Sequence, residues 1–165
     1  MENVPSGTHR TEVSEELPEG LERRLVLRLL AHWRTLCEEK RFPTFADVDP
    51  EEISDIWPFS FVLEVLEGRD EPVFRAIGGE LAAFTDFPLT GRHVSDAPVH
   101  TLPGVAISYV DEMLEKRVPI SRGGEFFKTD GTRVLYRSIL LPMSDDGETI
   151  SGILGAANCR EIDKE

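Results

Sequence analysis

The chain has 165 residues, enough to bury a core of its own as one domain, so neither a disulfide framework nor a structural metal is required to hold it. Its 31 acidic residues outweigh 18 basic ones, and the formal net charge of −13 opposes phosphate backbones and anionic lipid, which argues against nucleic acid and membrane surfaces as partners. Cys37 and Cys159 have no metal-ligand or redox spacing, the N-terminus does not read as a signal peptide, and no apolar run approaches the ~20 residues of a membrane span; the expectation is a cytoplasmic protein.

Residues 1–19 are polar and acidic without an apolar period and are expected to form a flexible tail. In the segment 20–41, Leu25, Leu29, Trp33 and Leu36 recur at three- and four-residue steps, with Val26, Leu30 and Cys37 beside them. This pattern predicts an amphipathic helix over about 21–39, ending before Pro43. The same segment carries Arg23, Arg24, Arg28, Arg34, Lys40 and Arg41, which read either as a solvated face or as a docking surface for an acidic partner.

Asp49-Pro50-Glu51-Glu52 follows as a helix start: Asp49 caps, Pro50 fits the first turn, and the glutamates favour its positive end. Ile53, Ile56 and Trp57 supply a buried face, and Pro58 stops the turn. The runs at 61–66 and 73–77 read as a strand hairpin across Gly68, Asp70 and Pro72. Gly78-Gly79 marks a strand-to-helix break, ELAAFTDF a short helix, and 89–104 an irregular stretch. Val105, Ala106, Tyr109, Val110 and Met113 predict one helix over about 103–116. Three further strands are expected to be joined by two-residue turns at Asp130-Gly131 and Asp146-Gly147, with Gly123-Gly124 as a strand irregularity. The sum is an α+β domain in which helices cover one face of an antiparallel sheet and leave room for a cavity.

Several stretches carry a family likeness: His32-Trp33, FPTFADVDPEEISDIWPFSFVLEV at 42–65, FRAIGGEL at 74–81, LTGR at 89–92 and RVLYRSILLPMSDDGETISGILGA at 133–156. In this order and spacing the chain resembles the PAS domain superfamily, and in particular a bacterial family of short single-domain PAS-like proteins, over roughly residues 25–158. The resemblance implies a five-stranded antiparallel sheet in the order 2-1-5-4-3 flanked by helices, a PAS-like domain over 42–160 and a C-terminal tail over 161–165. It also implies a non-enzymatic sensory or adaptor role in bacterial signal transduction, with a small ligand or a partner protein bound. The output is expected to lie on a separate signalling protein. A small-molecule enzyme built on an α+β cup, or a ligand-free structural interaction module, are the alternatives.

The resemblance places Arg75, Phe84, His93, Tyr109 and Tyr136 as candidate ligand contacts, the arginine being suited to an anion. Strand alternation sends Tyr136 and Arg137 to opposite faces, so at most one borders the pocket. The N-terminal helix, with Leu25, Leu29, Trp33 and Leu36, is expected to cover a sheet face in trans and make a homodimer. Asn158-Cys159-Arg160 repeats the letters of the flavin-adduct motif of light-sensing relatives, where the cysteine sits on a mid-domain helix. Here Cys159 is expected after the last strand, as a small strand-end residue, so flavin is not anticipated. His93 and His100 precede the 103–116 helix rather than lie within it, which disfavours haem ligation, and the four histidines form no metal-binding pattern. No GxSxG, HExxH or phosphate-binding glycine loop points to catalysis. The small residues from Gly152 to Ala157 leave room for a neighbour or a ligand to pack closely.

Overall fold

The computed structural model describes residues 21–66 and 71–162. Residues 1–20, 67–70 and 163–165 lie outside the described residues, and with them the expected acidic tail, His9, the turn residues Gly68 and Asp70, and the end of the expected C-terminal tail.

The first helix, α1 (Leu21–Cys37), follows its apolar period closely and stops where Glu38 takes a left-handed conformation, φ 54°. Leu25, Val26, Leu29 and Trp33 are buried, while Leu27 on the outer side is 52% exposed. Asp49 caps a 3₁₀ turn over Pro50–Ile53, its carboxylate accepting the Glu51 N–H at 3.0 Å as expected of an N-cap. Ile53 and Ile56 then join the apolar cluster under α1.

Five strands make one antiparallel sheet: β1 (Ser60–Glu64), β2 (Val73–Ile77), β3 (Ile120–Phe127), β4 (Arg133–Met143) and β5 (Gly152–Ile162), in the order β2-β1-β5-β4-β3. The outer edge of β2 is closed by the 91–94 segment: Phe74 N–H bonds Arg92 C=O at 2.9 Å, and Gly91 N–H bonds Phe74 C=O at 2.7 Å. This covering removes an unpaired edge that would otherwise invite aggregation.

The sheet carries a layer on each face. On one, α2 (Gly79–Ala82), α3 (Leu102–Ala106) and α4 (Val110–Lys116) pack over Phe61, Phe74, Tyr136 and Leu140. On the other, α1 packs over Val62, Ile139, Leu141, Leu154 and Ala156. The indole of Trp33 fixes that second layer by donating from Nε1 to the Pro142 carbonyl at 2.9 Å. The apolar stripe assigned to a partner subunit is therefore used within the chain: Leu25, Leu29 and Trp33 are buried against their own sheet, and Leu36 is half-buried.

Four local expectations change. The helix expected over 103–116 is two helices, because the Val105 carbonyl accepts from both the Ser108 N–H (3.2 Å) and the Ser108 hydroxyl (2.8 Å), a local competition that interrupts the helical ladder. The β3–β4 turn has three residues rather than two between its closing pair: Lys128 N–H bonds the Thr132 carbonyl, and Gly131, at φ 90°, donates to the Lys128 carbonyl. The β4–β5 connection is wider still. There the Asp146 carboxylate gathers Ser144 Oγ at 2.9 Å and the N–H groups of Glu148 and Thr149 at 2.8 Å each, replacing a tight turn by a side-chain-organised loop. Finally, Gly123-Gly124 interrupts nothing; both residues keep register with Arg137 and Tyr136.

The small residues of β5 are explained by rings. A Cβ on Gly155 would stand 2.3 Å from the Phe61 ring, and one on Gly152 would stand 2.5 Å from the Phe45 ring. Neighbouring aromatics of the chain itself fill the space left there.

Replacing Trp33 by Phe should cost ~1 kcal/mol through the lost hydrogen bond, and Trp33→Ala ~3–5 kcal/mol through the cavity as well, read from urea unfolding midpoints. The Asp146 carboxyl is drawn down to about 2 from an ordinary 3.8, chiefly by the Thr149 and Glu148 N–H groups. Its folded form is favoured while it is ionised, so its stabilising contribution is present above pH 3.8 and is lost as pH falls through about 2. Asp146→Asn should flatten the acid limb of the stability curve in that window and leave the rest of the profile parallel.

Candidate functional site

The helix-lined face of the sheet is apolar except where α4 meets β3 and β4. Tyr109, at the N-terminal end of α4, projects into the layer and is buried, as is Ser138 on β4. Their hydroxyls lie 2.7 Å apart. Ser138 Oγ also lies 3.4 Å from the Arg122 carbonyl, to which it donates, leaving the tyrosine hydroxyl as donor in the shorter bond. Burial pushes the Tyr109 hydroxyl well above its usual range, against the opposing pull of its bond to Ser138. It stays protonated and acts only as a neutral donor.

Around this pair the polar groups form a short chain toward solvent. The Arg122 guanidinium sits 4.7 Å from the centre of the Tyr109 ring and binds Glu112 at 2.6 Å, and Glu112 is held by Lys116 at 3.0 Å. Lys116 first, then Arg122, keep the Glu112 carboxyl below its usual range. Tyr136 lies on the same sheet face, tilted 50° against Phe126 with centroids 6.1 Å apart. Gly124 stands directly across from it, and a Cβ there would come within 3.3 Å of the Tyr136 hydroxyl. The glycine therefore makes room for the ring.

Of the candidate ligand contacts, the structure brings Tyr109 and Tyr136 together on the helix-lined face and separates the rest from them. Arg75 lies on the outermost strand and turns to the opposite face, its guanidinium 4.1 Å from the Phe45 ring centre. The reason is alternation: its neighbour Phe74 takes the inward position against Phe61. Phe84 follows α2 and is 37% exposed. His93 is exposed on the segment that closes the edge of β2, bridged to Val73. Arg137 and Asn158 pair across β4 and β5 and are buried on the face opposite Tyr136, in keeping with the expected alternation. Ser138, Arg122 and Glu112 were not among the candidates. The signal for Ser138 is in the strand pattern: it is the polar residue two positions after Tyr136 in a run that is otherwise apolar on that face.

Cys159 does not follow the last strand but lies inside it, directly across from Tyr136 and half-buried, since β5 continues to Ile162. Cys37 is on α1 and buried, and its thiol is raised by that burial. No cysteine or histidine stands on α2, α3 or α4. The residues at hand thus do not fit a helix-borne flavin adduct or a helix-borne haem ligand. Among the described residues, no group of histidine, cysteine and carboxylate side chains has the arrangement to hold a metal ion.

A family model described as PAS domain matches residues 22–158. No curated protein matches the chain in sequence. Among solved structures it is similar to the LOV domain of a blue-light activated histidine kinase from Erythrobacter litoralis, at 11% identity and a TM-score of 0.46, covering 64% of this chain and 98% of that one. It is also similar to a PAS domain from Colwellia psychrerythraea, at 20% identity and a TM-score of 0.42, covering 70% and 98% of the two chains. An RNA-binding light-oxygen-voltage receptor aligns at 13% identity and a TM-score of 0.43, over 88% of this chain and 36% of that one.

The Tyr109–Ser138 pair should show coupling. Ser138→Ala should cost on the order of 1–3 kcal/mol, because it leaves the buried Tyr109 hydroxyl without its partner, and Tyr109→Phe about 1 kcal/mol, because Ser138 keeps its bond to the Arg122 carbonyl. The double variant should cost less than the sum by at least ~0.5 kcal/mol in urea unfolding; strict additivity would contradict the pairing.

Proposed function

Because the chain belongs to the PAS domain family, we propose that it is a non-enzymatic sensory or adaptor domain of bacterial signal transduction. It takes up a small molecule between sheet and helices, or binds a partner protein there, and passes the state of that layer to a separate signalling protein. The observation that carries this reading is the contrast between the two layers on the sheet. The 17-residue α1 is tied down by Trp33, whereas the other face is covered by helices of four, five and seven residues. Helices this short have little stability of their own and depend on what they pack against. A change in the contents of that layer is therefore well placed to rearrange them.

The polar end of the layer suits a ligand with a hydroxyl or carbonyl that can replace part of the Tyr109–Ser138 bond, flanked by the Tyr136 ring. Homodimer formation and a cytoplasmic location belong to the same proposal. In support of the location, no helix among the described residues is long and apolar enough to cross a membrane.

Native mass spectrometry of freshly purified protein, with an absorption spectrum of the same sample, tests the ligand part. The expected result is a retained small molecule, released on denaturation, whose occupancy falls several-fold in Tyr109→Phe and Ser138→Ala. An empty protein whose melting temperature ignores a metabolite library would remove the ligand from the proposal and leave the adaptor.

A further inference from the structure

Where α4 ends, two arginines meet over one ring. The Arg41 guanidinium carbon lies 4.9 Å from the centre of the Phe42 ring, and that of Arg117 lies 5.7 Å from the same centre. The ring is buried, while Arg41 is exposed and Arg117 half-buried. Their neighbours in the chain are treated differently. Lys40 and Lys116 each hold a carboxylate at 3.0 Å, that of Asp47 and that of Glu112. No carboxylate among the described residues pairs with Arg41 or Arg117, although the chain has 31 acidic residues. Arg117 reaches Glu148 through its main-chain carbonyl and leaves the carboxylate aside. It also ends α4 at φ 60°, a left-handed conformation that glycine adopts at less cost.

Two like charges over one ring repel each other, and an anion held by both relieves that repulsion. The planar guanidinium fork matches the paired oxygens of a carboxylate or a phosphate. We propose that Arg41 and Arg117 together bind a small anion carrying a phosphate or carboxylate group for each of them, and that the bound anion ties the end of α4 to the segment that follows α1. The position gives this contact a consequence. Leu114, one turn before Arg117, packs against the apolar clusters on both faces of the sheet, and Arg117 itself reaches the β4–β5 loop at Glu148. The anion thus fastens together the two layers at a point where α4 touches both. A compact anion is favoured over nucleic acid, because the net charge of −13 repels an extended polyanion beyond the two cations. The site is separate from the Tyr109–Ser138 pair and does not depend on a ligand there.

Thermal melts and calorimetric titrations with pyrophosphate and with citrate test the site, against sodium chloride of equal ionic strength. At ten times the Kd of the tighter anion, wild type should melt ~3–6 °C higher than in chloride. Tighter pyrophosphate assigns phosphoryl groups to the ligand, and tighter citrate assigns carboxylates. R41Q and R117Q should each weaken binding ~tenfold or more, and R41Q/R117Q should lose the shift. Arg117→Gly suits φ 60° and should keep its chloride melt within ~3 °C of wild type, yet lose the shift as well. R24Q/R34Q, which removes two exposed arginines of α1 instead, should retain it. With the anion bound, amide exchange over 110–117 should slow in wild type alone. A wild type that melts alike in all three salts overturns the site, and so does a shift that survives R41Q/R117Q or vanishes in R24Q/R34Q. Binding without slower exchange over 110–117 overturns the tie between α4 and the segment after α1.

Discussion

The fold depends on β5 being thin. It is the middle strand of the sheet, paired to β1 on one side and β4 on the other, and both of its faces are covered. Two covering layers can close on it only if its side chains leave space, and Gly152, Gly155, Ala156 and Ala157 do so. The space is taken by the Phe45 and Phe61 rings, which would collide with any side chain at Gly152 or Gly155. A strand with no side chain to pack is weak by itself. Here the aromatics supply from neighbouring segments the packing that the glycines lack, and so bind β1 and the 45–47 turn to the centre of the sheet.

From that centre the two faces diverge. One receives a single long helix whose apolar stripe matches Val62, Ile139, Leu141 and Leu154, and whose indole bonds to the sheet backbone. The other receives short helices joined by turns, with Tyr109 and Ser138 buried among apolar side chains. A paired hydroxyl in such surroundings is costly to separate, since the Tyr109 hydroxyl alone is left unsatisfied away from water. The pair therefore specifies how α4 sits on β4, and it is also the point at which a competing hydrogen-bonding group would be felt most. One face thus carries a single long helix anchored to the sheet backbone, and the other three short helices.

Much of this was readable from residue patterns. The α1 stripe, the Asp49 cap, the two strands before Gly78, and the opposed faces of Tyr136 and Arg137 follow from periods of 3.6 and 2 and from capping chemistry, all of which act over a few residues. The break between α3 and α4 was less visible, because the apolar period runs straight through it while Ser108 competes for one carbonyl. The loop after Met143 departs from its sequence pattern for a related reason. Asp146-Gly147 has the letters of a tight turn, but the carboxylate satisfies three donors and holds a wider path. Arg75 and His93 were grouped with the tyrosines by the elements they sit on, and their directions sent them elsewhere.

Local order along the chain and the α+β class of the fold were thus set by short-range pattern, since a side chain's period and its cap are properties of neighbouring residues, whereas the two tyrosines were singled out by the family resemblance. The covering of α1 by its own sheet came from neither, nor did the meeting of Tyr109 with Ser138 or the filling of β5 by Phe45 and Phe61. Each of these joins residues separated by dozens of positions, and such contacts depend on register and on which surface reaches which first. The basic outer face of α1 belongs to both levels: its charges are written in the sequence, but its exposure follows from burying the opposite face of the same helix.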